Sequence, residues 1–217
     1  MKTLISSPTV GRPRSFCMVS ALDRAMEVFW QKGYEGASLT DLTQAMGINR
    51  PSLYAAYGNK EELFRKALQR YAERMTCYVR DALTAPTARE SVLGLLHASV
   101  NLLTDPGNPR GCLAVQGALA CGDEALVIRQ ELVAWRAAGQ CALRKRLEQA
   151  QIDGDLPVTE SPEDLARYVY TLAQGMSVQS IAGASRDELL RVVETAMRGW
   201  PVATPGTRLA DPVDAAG

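Results

Sequence analysis

Apolar residues along this chain return every three or four positions, and few stretches alternate with a period of two. Val19, Leu22, Met26 and Phe29 make one such stripe with Asp23, Arg24, Glu27 and Gln31 between them, so the first element is an amphipathic helix that Gly33 stops. Ser38 stands three residues before Asp41, a capping-box spacing, and Leu42, Ala45 and Met46 give a short apolar face ending at Gly47. Asn49 can cap a third helix that has Pro51 in its first turn, Leu53 and Tyr57 on one face and Gly58 as its stop. Asn59 then caps a long fourth helix, with Leu63, Ala67, Leu68 and Tyr71 on one side and Glu61 and Glu62 in its first turn. Beyond it, turn signals such as Asp105-Pro106-Gly107 and Asp153-Gly154-Asp155 separate helices predicted over 88–104, 109–120, 123–150, 161–183 and 185–199. The pattern predicts an all-α chain of about nine helices.

Composition fits that expectation. Apolar residues make up 47% of the 217, enough to bury a core, and Ala and Leu outweigh the β-branched and aromatic types that favour strands. The folded part is expected over about 15–200, as a small unit at 15–60 and a larger one at 61–200, with 1–14 and 201–217 as flexible tails rich in Pro, Gly and small polar residues. No apolar run is long enough for a signal segment or a bilayer span, so the expectation is a cytoplasmic protein with no membrane partner. Net charge is zero, yet residues 1–60 carry seven Lys or Arg against four Asp or Glu, and the remainder seventeen against twenty. A mildly basic front on an acidic body is the charge pattern of an anion-facing module. Five cysteines with no Cys-x-x-Cys pair argue for reduced thiols over a disulfide framework or zinc site, and the single histidine, His97, removes most catalytic triads. No metal and no cofactor are expected.

The segment GINRPSLYAAYGNK, residues 47–60, is too short and too weakly apolar to be a core helix. Two short helices joined by Gly47-Ile48-Asn49 have the sequence form of a helix-turn-helix. A reading helix needs small or polar residues for base edges, cations or hydroxyls for phosphates, and one apolar face for its own domain. Leu53 supplies the inner face; Arg50, Pro51, Ser52, Ala55 and Ala56 lie outward; Tyr54, Tyr57 and Lys60 sit where the backbone would pass. Thr40, in the first turn of the preceding helix, adds a further phosphate donor. The alternative is an ordinary loop and short helix with half-buried tyrosines and a solvated Arg50.

The run GYEGASLTDLTQAMGINRPSLYAAYGNKEELF resembles the DNA-binding domain of the TetR/AcrR family of transcriptional regulators. The carrying residues are Gly33-Tyr34, Ser38, Leu39, Leu42, Ala45, Gly47-Ile48-Asn49, Leu53-Tyr54, Tyr57 and Lys60-Glu61-Glu62-Leu63, covering about residues 18–66. The resemblance implies an N-terminal three-helix helix-turn-helix domain and a larger C-terminal helical domain for ligand binding and dimerisation. It also implies double-stranded operator DNA and a second copy of the chain as partners, a small-molecule effector of unknown identity, and regulation, with repression foremost, in place of enzymatic turnover. Thr40, Arg50, Ser52, Tyr54, Ala55, Tyr57 and Lys60 become the expected DNA contacts. The chain departs from the family at Ala56, where many members have His, and at Tyr57, where most have Phe. Arg12 and Arg14 stand ahead of the first helix, where they could enter an adjacent minor groove or belong to a solubilising tail.

A helix-turn-helix monomer covers too little DNA for useful specificity, so a symmetric dimer on a pseudo-palindrome is expected. Tyr168, Gly175, Val178 and Ala182 form a second stripe on the predicted 161–183 helix, and Leu189, Val193, Ala196 and Met197 recur on the last one. These are the candidate dimer residues. Met75, Tyr78, Leu96, Val100, Cys112, Val115, Leu119, Trp135 and Tyr170 are candidate linings of an effector pocket, set against a plain core role. RGCLAVQGALACGDEA resembles the sixth helix of a TetR subgroup that includes thiol sensors. That makes Cys112 a candidate redox or electrophile sensor, with Arg110 placed to lower its pKa; a buried, inert cysteine is the alternative. Cys121 lies nine residues on, about 13.5 Å along a helix, too far for a disulfide with Cys112. A helical thiol-dependent enzyme and an effector-blind architectural DNA-binding protein are the competing functional classes.

Overall fold

A computed structural model describes residues 14–119 and 125–203, the side chains at 14–17, 76–77 and 118–119 excepted. Among the described residues there are nine α-helices and no strand: α1 Arg14–Gly36, α2 Leu39–Met46, α3 Arg50–Tyr57, α4 Lys60–Leu83, α5 Ala88–Thr104, α6 Leu113–Leu119, α7 Leu126–Ile152, α8 Pro162–Ile181 and α9 Arg186–Arg198. Of the predicted tails at 1–14 and 201–217, only residue 14 and residues 201–203 are among the described residues, and Arg12 and the side chain of Arg14 lie outside them.

Local chemistry sets most boundaries. Ser38, Asn59, Thr87 and Ser185 each close a capping box with the acidic residue three positions on, and Asn49 and Ser161 cap by accepting from the backbone N–H three residues on. α1 breaks at Gly33, as expected, where the backbone is non-helical (φ 71°, ψ 175°), and a short further turn carries it to Gly36. α6 begins at Leu113 instead of 109. Gly111 takes φ +87°, outside any helical turn, and Arg110 and Gly111 bond to Ser180 at the end of α8.

Two cores hold the helices. In the first, Met26, Phe29 and Trp30 of α1, Leu42 of α2 and Leu53 of α3 pack with Leu63, Phe64 and Tyr71 of α4, Leu113 of α6, and Ile128 and Leu132 of α7. Phe29 meets Phe64 edge-on at 5.0 Å, and Trp30 meets Tyr71 at 4.9 Å, the offset geometry that ring quadrupoles favour. Half-exposed ion pairs, Arg70–Asp23 at 2.9 Å and Arg65–Glu131 at 2.8 Å, tie α4 to α1 and α7 and add little beside that burial. The second core joins Val92, Leu96 and Val100 of α5 to Leu143 and Leu147 of α7, Val169 and Met176 of α8, and Leu189, Val193 and Met197 of α9. Cys112 packs against both.

Candidate nucleic-acid interface and ligand cavity

The α2–α3 unit is fixed from its ends. The Asp41 backbone N–H donates to Ser38 Oγ at 3.0 Å, the Ser38 N–H returns to Asp41 Oδ2 at 3.1 Å, and Lys32 Nζ lies 2.7 Å from Asp41 Oδ1. The Lys32 hydrogen bond, followed by those from Ser38, holds the Asp41 carboxyl down at about 2. Gly47 then turns the chain in the left-handed region (φ 67°, ψ 31°), and Asn49 Oδ1 accepts from the Ser52 N–H at 2.9 Å to start α3.

On α3, Leu53 is buried in the first core while Arg50, Pro51, Ser52, Tyr54 and Ala55 face outward; Tyr54 is 48% exposed. Arg50 Nη2 donates to Thr40 Oγ1 at 3.2 Å, bracing the N-terminal turns of α2 and α3 into one outer face. Ala56, by contrast, packs on the core. Tyr57 needs correction as a DNA contact. Its ring is 3% exposed and its hydroxyl donates to the Met18 carbonyl of α1 at 2.7 Å, so it anchors α3 inward. Lys60 is half-buried: Nζ donates to the Glu35 carbonyl at 3.4 Å and stands 4.7 Å over the Tyr34 ring, and burial lowers its pKa.

Between α4, α5, α7 and α8 lies a cavity of about 140 Å³. The structure brings Met75, Tyr78, Leu96, Cys112, Val115, Trp135 and Tyr170, all candidates from the sequence, onto its wall. Val100 is instead buried in the second core, because its position on α5 turns it away from the opening, and the Leu119 side chain lies outside the described residues. Sequence reasoning missed Tyr71, Ser99, Arg136, Gln174 and Ser177 on the wall. Tyr71 had been legible only as a core position of α4, and the polar four carry no apolar periodicity. Burial raises the Tyr71 pKa well above its ordinary value and pushes Tyr170 up to about 12.

At the cavity edge, residues 110–112 join three parts of the molecule. The Trp30 indole N–H of α1 donates to Gly111 O at 2.9 Å, the Gly111 N–H donates to Ser180 Oγ of α8 at 3.1 Å, and Tyr71 Oη of α4 donates to Cys112 Sγ at 3.2 Å. Arg110 does not serve the thiol as expected. Its Nη1 donates to the Ser180 and Ala184 carbonyls at the end of α8, at 3.1 and 3.2 Å, where a cation complements the helix terminus. Among the described residues no group of His, Cys, Asp and Glu could hold a metal ion.

The outer face of α8 and α9 exposes Tyr168, Gly175, Val178 and Ala182, together with Ile181 and Val192, and Ala196 is half-buried beside them. Leu189, Val193 and Met197 require correction as dimer residues. They are only 1%, 1% and 5% exposed because that stripe of α9 faces its own second core. Among the described residues no helix is long and apolar enough to cross a membrane.

Comparison with known proteins follows this division of the chain. Residues 21–67 match the family model described as bacterial regulatory proteins, tetR family, and residues 88–196 match a tetracyclin repressor-like C-terminal domain. The HTH-type transcriptional repressor ComR of Escherichia coli K12 is 35% identical over 193 residues, covering 88% of this chain and 92% of ComR. A cysteine mutant of the TetR family regulator CifR, solved in complex with 26-bp double-strand operator DNA, superposes with a TM-score of 0.84 at 47% identity, covering 88% of this chain and all 100% of that one.

Proposed function

The chain belongs to the TetR family of bacterial regulatory proteins, and we propose that it is a cytoplasmic, homodimeric repressor released from a pseudo-palindromic operator when an effector enters the α4–α8 cavity. The observation that carries the DNA-reading part is the outer face of α3. Arg50 and Thr40 are tied across the turn, with Ser52, Tyr54 and Ala55 exposed beside them and Leu53 and Tyr57 locked inward. That arrangement offers a guanidinium to a guanine edge, an Ala methyl to a thymine methyl, and hydroxyls to phosphates. Thr40, Arg50, Ser52, Tyr54, Ala55 and Lys60 are the proposed contacts. CifR, caught on operator DNA, and ComR, a repressor, support the reading. The exposed faces of α8 and α9 are the proposed surface for a two-fold pair.

The test is a gel-shift titration of the purified protein on its own upstream DNA. Tyr54→Ala and Lys60→Ala are expected to weaken binding on every sequence. Arg50→Ala is expected to cost about 1–3 kcal/mol and to relax preference at one base pair per half-site. Unchanged binding in all three removes the α3 assignment.

A second route of release, thiol modification, is favoured by one observation: Cys112 lines the cavity, half-exposed, where both cores meet. CifR was itself solved as cysteine mutants. Operator release by a mild oxidant, lost in Cys112→Ser, would establish this route; release in neither protein leaves a non-covalent effector.

A further inference from the structure

We propose that the cavity takes a compact apolar carboxylate, its hydrocarbon part among the rings and its carboxylate on Arg136, with Ser177 and Gln174 beside it. The inference rests on the regulatory reading above, in which this cavity is the effector site.

Size limits the ligand first. The cavity measures about 140 Å³, close to the engineered apolar cavity of about 150 Å³ that admits one benzene. Tyr71, Trp135 and Tyr170 supply ring walls for a body of that size. Charge limits it next. Among the described residues Arg136 is the one charged side chain on the wall. Its Nη1 donates to the Ala114 carbonyl at 2.9 Å, and among the described residues no Asp or Glu oxygen comes within ion-pair distance of it. A cation beside an apolar space without its own anion repels an ammonium and attracts a carboxylate, whose two oxygens match the guanidinium fork. A phosphate dianion would need more than one such cation.

The remaining polar groups on the wall separate into committed and uncommitted. Tyr71 donates to Cys112 Sγ and Ser99 Oγ donates to the Leu95 carbonyl. Ser177 is only 1% exposed, and among the described residues its Oγ has no hydrogen-bond partner. Burying a hydroxyl without a partner is costly, so this one is matched to something that enters the space. Gln174 lies three residues before it on the same face of α8. α7 and α8 run antiparallel through the turn at 153–161, and a Cβ on Gly139 would lie 2.4 Å from the Tyr170 hydroxyl. Arg136, close to one turn before Gly139, therefore faces the turn of α8 that follows Tyr170. The uncommitted groups share the cavity wall as potential donors, and a carboxylate is the acceptor-rich ligand end that would satisfy them.

Benzoate, 3-phenylpropanoate and octanoate, each beside its amide and amine, are titrated into the full chain while tryptophan fluorescence is followed. Trp135 on the wall reports occupancy, and calorimetry gives Kd. At least one acid is expected to bind below about 1 mM, tenfold or more tighter than its amide, with no binding by the amine. Arg136→Gln should reduce the acid to the affinity of its amide, Arg136→Lys should restore part of it, and Ser177→Ala should weaken it several-fold. The variants' melting curves check that they fold. The proposal is overturned if no acid saturates below about 10 mM, if amide or amine binds as well as acid, or if Arg136→Gln keeps the preference. Operator binding measured on the same preparation separates the two readings. A protein that binds operator and ignores every acid refutes the ligand class alone, whereas absence of operator binding refutes the regulatory reading beneath it.

Discussion

Gly111→Ala isolates the joint between the reading head and the body of the protein. At φ +87° an L side chain is disfavoured by about 1–2 kcal/mol. The added Cβ would also lie 2.5 Å from Gln116 Nε2 and 2.8 and 2.9 Å from Ile181 Cγ1 and Cδ1. Ile181 is exposed and its end can swing away at small cost. The Gln116 amide is different, because it donates to the Arg110 carbonyl at 3.2 Å, and moving it gives up that hydrogen bond, about 1 kcal/mol. The total expected loss is about 2–3 kcal/mol. Equilibrium urea unfolding at one fixed protein concentration measures it, since a dimer's stability depends on concentration. A lower midpoint with an unchanged slope is expected. A loss below about 0.5 kcal/mol would refute the claim that backbone geometry fixes glycine here.

Two further outcomes are expected. The Asp41 carboxyl, held low by Lys32 and Ser38, should titrate near 2 instead of the ordinary 3.8. Its folded value is the depressed one, so its contribution to stability is present above about 3.8 and is lost as pH falls through about 2. A carbon-detected NMR titration of the side chain reads this directly, and a midpoint near 3.8 would contradict the capping geometry. Val178→Glu, on the exposed face of α8, should convert the dimer to monomer in light-scattering chromatography, while Val193→Ala should cost about 2 kcal/mol of stability and leave the oligomeric state unchanged. The opposite pattern would return the inner stripe of α9 to the dimer interface.

Helix starts were legible where one side chain caps its own backbone: Ser38, Asn49 and Asn59 act within three residues, and the sequence contains everything those caps need. The start of α6 was not. Gly111 takes its conformation from Ser180 and Ile181, some seventy positions later, and no local pattern carries that contact. Tyr57 illustrates a limit of resemblance: its spacing from Leu53 predicted a shared buried face, and that packing outweighed the outward role its hydroxyl suggested. Leu189, Val193 and Met197 show another. Periodicity marks a stripe that will be covered without saying whether the cover is the chain's own α5 or a second copy. The cavity's apolar wall was legible as surplus apolar positions on the middle helices, whereas Arg136 and Ser177 became visible only once packing enclosed them.

The first core disregards the boundary at residue 60, since Met26, Phe29, Leu42 and Leu53 share their packing with Phe64, Tyr71, Leu113 and Leu132. A head cut out at that point would leave behind half of what it packs against. Grafting it onto another regulator's body would create a chimera with mismatched surfaces and cavities on both sides of the seam. On the proposed reading, new operator preferences are therefore more accessible by substitution at Arg50, Ser52, Tyr54 and Ala55, which lie on the solvent side of α3, than by exchange of whole modules. The shared packing makes head and body one unit, altered at least cost one exposed side chain at a time.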